Sequence, residues 1–256
     1  MYKFLLTPKW IALHVVCLLT IAVMVTAGFW QLGRYQDRQA FKAEVNSRTS
    51  ADVVPFEAVA AQPPADIEWQ RVSATGTYVP DKDFEIVNVS QGGVSGHDAV
   101  SGLLLADGSV LMVNRGFAPG VDALPPAPTG TVTVTGRVRR GQTAGTGQSS
   151  DNGAEQLTQI RRMDLGALAQ QFEQTVQTVY LDRLDMKYES PNMQPVAFPD
   201  LDGGPPHLSY TIQWFIFSVA VVAGWILAVR NAANERSGKP KKKKVPPIAE
   251  EYASGG

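Results

Sequence analysis

The chain has 256 residues, a formal net charge of −1 and 44% hydrophobic residues. Its charge is split: residues 31–208 carry 14 Lys and Arg against 21 Asp and Glu, a net of −7, while the two ends together carry +6. An acidic centre argues against a nucleic-acid face, and the lone cysteine, Cys17, excludes a disulfide, a thiol pair for copper transfer and a cysteine metal site.

From Trp10 to Trp30 run 21 residues without a charge. At a helical rise of about 1.5 Å they extend roughly 31 Å, enough for a hydrocarbon core. Lys3, Lys9 and Val25-Thr26-Ala27 loosely resemble a signal peptide. The apolar run exceeds the usual h-region of about 7–15 residues, however, and large aromatics follow it. Residues 10–30 are therefore expected to be an uncleaved transmembrane helix, with Cys17 as a small apolar filler. Residues 31–50 are charged, lack proline and are rich in helix formers, so the helix is expected to continue out of the membrane.

Residues 51–66 contain Pro55, Pro63 and Pro64 and predict a loop with one helical turn. The pattern then changes to period two. Strands are predicted at Trp69–Tyr78, Phe84–Val89, Gly102–Leu105, Val110–Val113, Thr131–Val138 and Val176–Leu181. Ala106-Asp107-Gly108-Ser109 supplies a hairpin turn. Asp164 to Phe172 predicts a helix with Asp164 as its N-cap. Residues 118–130, rich in proline, and 141–154, small and polar, predict long connections. Residues 31–207 are therefore expected to form an α+β domain, mainly antiparallel β, as a small barrel or sandwich.

From Leu208 to Val229 a second span of 22 uncharged residues begins. Arg230, Arg236, Lys239, Lys241, Lys242, Lys243 and Lys244 follow it, which places residues 230–256 on the cytoplasmic side by the positive-inside rule. The expectation is a multi-pass protein of the cell (plasma) membrane with both termini cytoplasmic and residues 31–207 extracytoplasmic. The lysine run then marks topology beside anionic lipid.

No enzyme active site is evident. His97, in Gly92-Gly93-Val94-Ser95-Gly96-His97-Asp98, is expected in a solvated loop. The glycines there lack the lysine and helix of a phosphate loop. Acid pairs such as Asp81/Asp83 and Asp182/Asp185 sit in turn-like contexts, and neither EF-hand nor zinc spacing occurs. Arg115, in Val113-Asn114-Arg115-Gly116-Phe117, is expected at a strand end, where Gly116 admits a sharp turn and the arginine pairs a local acid or contacts a partner. His207-Leu208-Ser209-Tyr210-Thr211-Ile212-Gln213-Trp214-Phe215 crowds polar groups at the mouth of the second span. Such groups anchor, pair or bind something.

The order of several motifs resembles the Surf1/Shy1 family of cytochrome c oxidase assembly factors, of bacterial type. They are Phe29-Trp30-Gln31-Leu32-Gly33-Arg34, Arg71-Val72 leading to Gly76-Thr77-Tyr78, Val113-Asn114-Arg115-Gly116-Phe117, Val134-Thr135-Gly136-Arg137-Val138, Tyr180-Leu181, and His207-Leu208-Ser209-Tyr210 with Gln213-Trp214-Phe215. The resemblance covers roughly residues 10–230. It implies a non-enzymatic role in maturing the aa3-type haem–copper oxidase: delivery or insertion of haem a, or stabilisation of the large catalytic subunit. It also implies His207 as a candidate haem iron ligand.

Expected partners are cytochrome c oxidase subunits, the respiratory supercomplex and membrane lipid, with no nucleic acid. Haem a is expected only transiently. Helical spacing puts Tyr210 and Trp214 on the face of His207. The topology brings Trp30, Gln31 and Arg34 to the same outer interface, where Arg34 could pair a propionate and Trp30 or Trp214 could stack on the porphyrin. The plainer alternative is an aromatic anchor in which His207 caps its helix and Gln213 bonds across to the first span. His14, roughly 25 Å from His207 along the membrane normal at about 1.5 Å per residue, is too far to share an iron. Two other functions remain open: a scaffold or accessory subunit that binds the oxidase without haem, and an extracytoplasmic ligand-binding module.

Overall fold

The computed structural model describes residues 2–120, 124–187, 189–203 and 205–237. The tail lysines Lys239 and Lys241 to Lys244, residues 121–123 of the proline-rich connection and Gly204 lie outside the described residues. The chain divides into two units. One comprises Met1–Ala40 and Gly203–Gly256, the other Phe41–Asp202.

Two helices dominate the first unit. Helix α1 spans Pro8–Ser50, so the apolar segment and the charged segment after it form one uninterrupted helix. Its only proline is Pro8, in the first turn, where the missing N–H breaks no helical bond. Both α1 and the C-terminal helix His207–Arg236 are long and apolar enough to cross a membrane. Only 6% of each apolar stretch is buried within the protein, whereas the core helix of a soluble protein is mostly buried.

The second unit begins in the last turns of α1. There Arg48 pairs with Glu44 at 2.6 Å, and its Nη1 donates to the carbonyls of Ala65 and Glu68 at 2.9 Å each. The loop expected over 51–66 holds the short strand β1 (Val54–Pro55), a 3-10 turn at Phe56–Ala58 and the single-turn helix α2 (Pro64–Ile67). Strands β2 (Arg71–Gln91), β3 (Val94–Leu105), β4 (Val110–Pro119), β5 (Thr131–Arg140), β6 (Gln159–Ile160) and β7 (Val176–Arg183) follow, with helix α3 (Leu165–Ala169) before β7. The C-terminal helix is α4.

The segments expected as separate strands at 69–78 and 84–89 are one long β2. It is broken by register shifts between Tyr78 and Asp83 and between Ile86 and Val89. Asp81 and Asn88 sit at those shifts with φ of 57° and 60°. Asp and Asn are the side chains that tolerate this left-handed region, which explains why the strand bends there instead of ending.

Pairing starts at β2, passes through β3, β4 and β7 to β5, and returns to β2. The long β2–β3, β3–β4, β2–β5 and β5–β7 ladders are antiparallel, as expected. The β4–β7 pairing is parallel, because the chain between those strands crosses over through β5, β6 and α3. One apolar cluster gathers Val72, Ala74, Leu103, Leu111, Val113 and Leu181. The other gathers Phe84, Val100, Val110, Met112, Ile160 and Leu168, under α3 and β6. Alternate residues of β4 thus serve opposite clusters, and the strand reads as a continuous apolar run because both its faces are covered. The Asp164 carboxylate caps α3 by accepting from the backbone N–H groups of Gly166 and Ala167.

Two local expectations are corrected. His97 is not in a loop but within β3, opposite Ala118 of β4; the turn is confined to Gly92 and Gly93, both with positive φ. Arg115 does not end its strand. Ala99 pairs with Gly116 and Val100 with Asn114, so Arg115 is the extra residue of a β-bulge and β4 continues to Pro119.

Candidate functional site

In the helical unit, a polar contact joins the start of α4 to the middle of α1. His207 opens α4, and its Nδ1 lies 2.8 Å from Oε1 of Gln31 on α1. With the amide oxygen as acceptor, Nδ1 carries the proton and Nε2 presents a lone pair. The His207 ring therefore does not cap its own helix; the N-terminus of α4 has no side-chain cap. Gln213 is exposed, so the cross-helix bond expected from it is made by Gln31 and His207 instead.

Packing between the helices continues on either side. The rings of Phe29 and Phe215 meet edge-on at 5.5 Å. Gly28 gives Phe215 its space, since a Cβ there would come within 3.0 Å of the ring. Further along, Trp225 Nε1 donates to His14 Nδ1 at 2.9 Å, a second neutral polar bridge. His14 is thus a packing partner of α4.

The expected site residues do not all converge. Trp30 is 62% exposed and closes an apolar groove of about 640 Å³ with Ala22, Val23, Thr26 and Ala27 of α1. Tyr210 and Arg34 are exposed. Trp214 is half-buried and packs edge-on to Phe217 of its own helix. Of these expected site residues, among the described residues, only His207 makes a polar contact with the opposite helix, through Gln31.

A buried polar network of the second unit is centred on Arg115, which is 1% exposed. Its guanidinium donates to Glu189 at 3.2 and 2.7 Å, to the Pro125 carbonyl at 3.1 Å and to the Pro126 carbonyl at 3.0 Å. Glu189 also accepts from Arg183, and both side chains are fully buried. Arg183 bonds Asp185 at 3.0 Å. The bulge that presents Arg115 depends on Gly116: its φ is +140°, and a Cβ would sit 2.6 Å from the Gln194 carbonyl oxygen. Beside the network, burial pushes the Tyr78 hydroxyl up to about 12, so it stays neutral.

A cleft of about 500 Å³ borders this network, lined by Asp83, Glu85, His97, Arg115 and Pro125 among others. His97 Nδ1 lies 2.6 Å from Glu85 Oε1. Among the described residues, no group of three or more His, Cys, Asp and Glu is placed to hold a metal ion. Sequence reasoning singled out Arg115 but not Glu189 or Arg183. Glu189 lies beyond the last strand and is locally indistinguishable from a solvated turn acid. Arg183 ends an apolar strand, and its burial depends on partners distant in space.

Two apolar helices, each long enough to cross a membrane, precede and follow a mainly β unit, with a histidine of the second tied to the first. The SURF1 family profile matches residues 18–219, and the chain belongs to the SURF1 family. A SURF1-like protein of Mycobacterium tuberculosis is 26% identical over 98% of this chain and 96% of its own length. A SURF1-like protein of Monosiga brevicollis is 28% identical over 82% of this chain and 85% of its own. One from Rickettsia felis is 20% identical over 85% and 97%.

Proposed function

We propose that this chain is a non-enzymatic assembly factor for the haem–copper cytochrome c oxidase, set in the plasma membrane by α1 and α4. On this reading both termini are cytoplasmic, and residues 31–207 form an extracytoplasmic domain whose closed strand pairing makes a small barrel. It acts in the delivery or insertion of haem a beside the large catalytic subunit. Family membership supports the oxidase role. The observation that carries the haem role is the His207–Gln31 contact.

The residues present fit the group. Metal-ligating histidines donate their second ring N–H to a carbonyl or carboxylate, which fixes the tautomer. Gln31 is positioned to do this for His207, leaving Nε2 as the ligating atom. The apolar groove that ends at Trp30, the residue before Gln31, offers an oily surface to an amphiphile. Arg34, exposed one turn further along α1, is free to meet a carboxylate side group. Haem a, when bound, would supply an iron that the His207 imidazole could ligate.

The test is the optical spectrum of the protein purified in mild detergent, with identification of the chains that accompany it. Wild type is expected to show a haem signature that His207→Ala loses and Gln31→Leu weakens, with oxidase subunits retained in all three. The same haem content in His207→Ala would remove the ligand assignment. A second reading, a scaffold that binds the oxidase without haem, is favoured by the exposure of Trp30, Arg34 and Tyr210, which do not gather around His207. It predicts oxidase subunits without haem even in wild type.

A further inference from the structure

We propose that the cleft between Arg71 and Arg137 binds a phosphate group, carried by a lipid headgroup or free in solution. Neither arginine belongs to the haem reading, so the proposal stands or falls separately from it.

Arg71 on β2 and Arg137 on β5 are paired directly across the ladder. Both line a cleft of about 380 Å³ with Asn46, Thr49, Leu184 and Phe198. Like charges placed opposite each other on a sheet repel. Arg137 is only 4% exposed. Its guanidinium lies 4.9 Å from the Phe198 ring centre and 6.0 Å from that of Trp69. The rings leave its edge to do the bonding, yet Nε and Nη2 are buried without a hydrogen-bond partner. Nη2 forms a buried ion pair with Asp182 at 3.6 Å, longer than a hydrogen bond, and the same carboxylate oxygen is 3.8 Å from Arg139, so one acid is shared between two guanidiniums. Among the described residues, no ion pair is recorded for Arg71. A buried guanidinium whose N–H groups lack hydrogen bonds, and whose one acid is shared with Arg139, is under-compensated, and an oxyanion would relieve it.

The chemistry favours phosphate over carboxylate. A planar carboxylate is satisfied by one guanidinium fork, whereas a tetrahedral group presents oxygens to donors on several sides. Here the donors are Arg71, Arg137 and the Asn46 amide. The Thr49 hydroxyl already donates to the Val45 carbonyl at 2.7 Å. The cleft exceeds the volume of a bare anion, and Leu184 and Phe198 give the excess an apolar wall, suited to the organic part of a phosphate ester. The carbonyl end of α1 acts against an anion, but that field fades within one turn and is screened. Charge-assisted hydrogen bonds are roughly twice as strong as neutral ones.

The test uses the full chain in detergent. Calorimetric titration with inorganic phosphate, against matched sodium chloride, is compared between wild type and Arg71→Gln. Arg71 is half-buried, so this variant should keep the fold; Arg137→Lys is the second variant, retaining charge but not the fork. Saturable phosphate binding in wild type, weakened at least tenfold in Arg71→Gln, supports the site. Native mass spectrometry after incubation with phosphatidylglycerol or phosphatidylcholine vesicles distinguishes the sources. Phospholipid retained by wild type and lost in Arg71→Gln identifies a headgroup; phosphate binding without retained lipid identifies free phosphate. Neither probe binding above the chloride control, or both variants binding as wild type does, overturns the proposal.

Discussion

The helical unit and the β unit handle buried polarity in opposite ways. Between α1 and α4, the polar contacts include two bridges made by uncharged partners, His207 with Gln31 and His14 with Trp225. In the β unit, Arg115, Arg183 and Glu189 are charged groups, each almost wholly removed from solvent. A neutral bridge has a modest desolvation penalty and a modest net gain. A buried ion is tolerated only when nearly every donor and acceptor around it is matched. The difference marks what each unit is suited to do. The ionic network holds the proline-rich connection and the segment after β7 against the sheet in one arrangement, because a half-matched version would be worse than an apolar core. The His207–Gln31 bridge can open and re-form with little penalty, which would suit the ligand role proposed for His207.

The largest test of this contrast is Glu189→Ala. It leaves two buried guanidiniums without their shared carboxylate, and breaking such a pair from one side typically destabilises by about 3–5 kcal/mol. The carbonyls of Pro125 and Pro126 and the Asp185 carboxylate remain, so a loss near the lower end, about 3 kcal/mol, is expected in denaturant unfolding. A loss below about 1 kcal/mol would mean that the network is not the clamp described here. Gln31→Leu should have a far smaller effect on thermal unfolding in detergent. Hydrogen bonds between membrane helices average about 0.6 kcal/mol and reach about 1.7. A Gln31→Leu variant as unstable as Glu189→Ala would erase the distinction between the two units.

The smallest expected effect concerns Asp98, a buried carboxyl whose hydrogen-bond partner is a neutral amide, Asn114 Nδ2 at 2.8 Å. Burial raises it above the ordinary 3.8, against the lowering influence of Asn114 and His97. The folded state therefore holds this proton more tightly than the unfolded chain does. That contribution is fully present below the ordinary value and is lost as pH rises through the raised one. Asp98→Asn should flatten this part of the decline and shift stability at pH 7 by less than about 1 kcal/mol. Denaturation midpoints between pH 4 and 7, for wild type and variant, measure it. A steeper decline in the variant would contradict the sign.

Much of the fold was legible because it rests on local periodicity. Two long uncharged runs and a proline-free charged segment sufficed for α1 and α4. The alternation at Thr131–Val138 and the turn Ala106–Ser109 marked strands that the structure contains. The site was legible only in part. His207 and its neighbourhood on α1, Gln31 included, were anticipated from topology and family resemblance, but the bond across the helices was expected from Gln213, not Gln31. Trp30, Arg34, Tyr210 and Trp214 share the region on sequence grounds, yet only His207 reaches across to the other helix, through Gln31.

By itself, the sequence determined what depends on nearest neighbours along the chain: which segments are apolar enough to span, where backbone angles favour Gly, Asp or Asn, and which strands alternate. Only the tertiary structure decided the rest. It set β7 parallel beside β4, turned Arg115 from a strand end into a bulge, and drew Glu189 from an unremarkable segment into contact with two buried arginines. It also placed Arg71 directly across from Arg137. The reason is electrostatic and long-range. A charge is solvated or buried according to what the folded chain brings beside it from scores of residues away, and no local pattern carries that information.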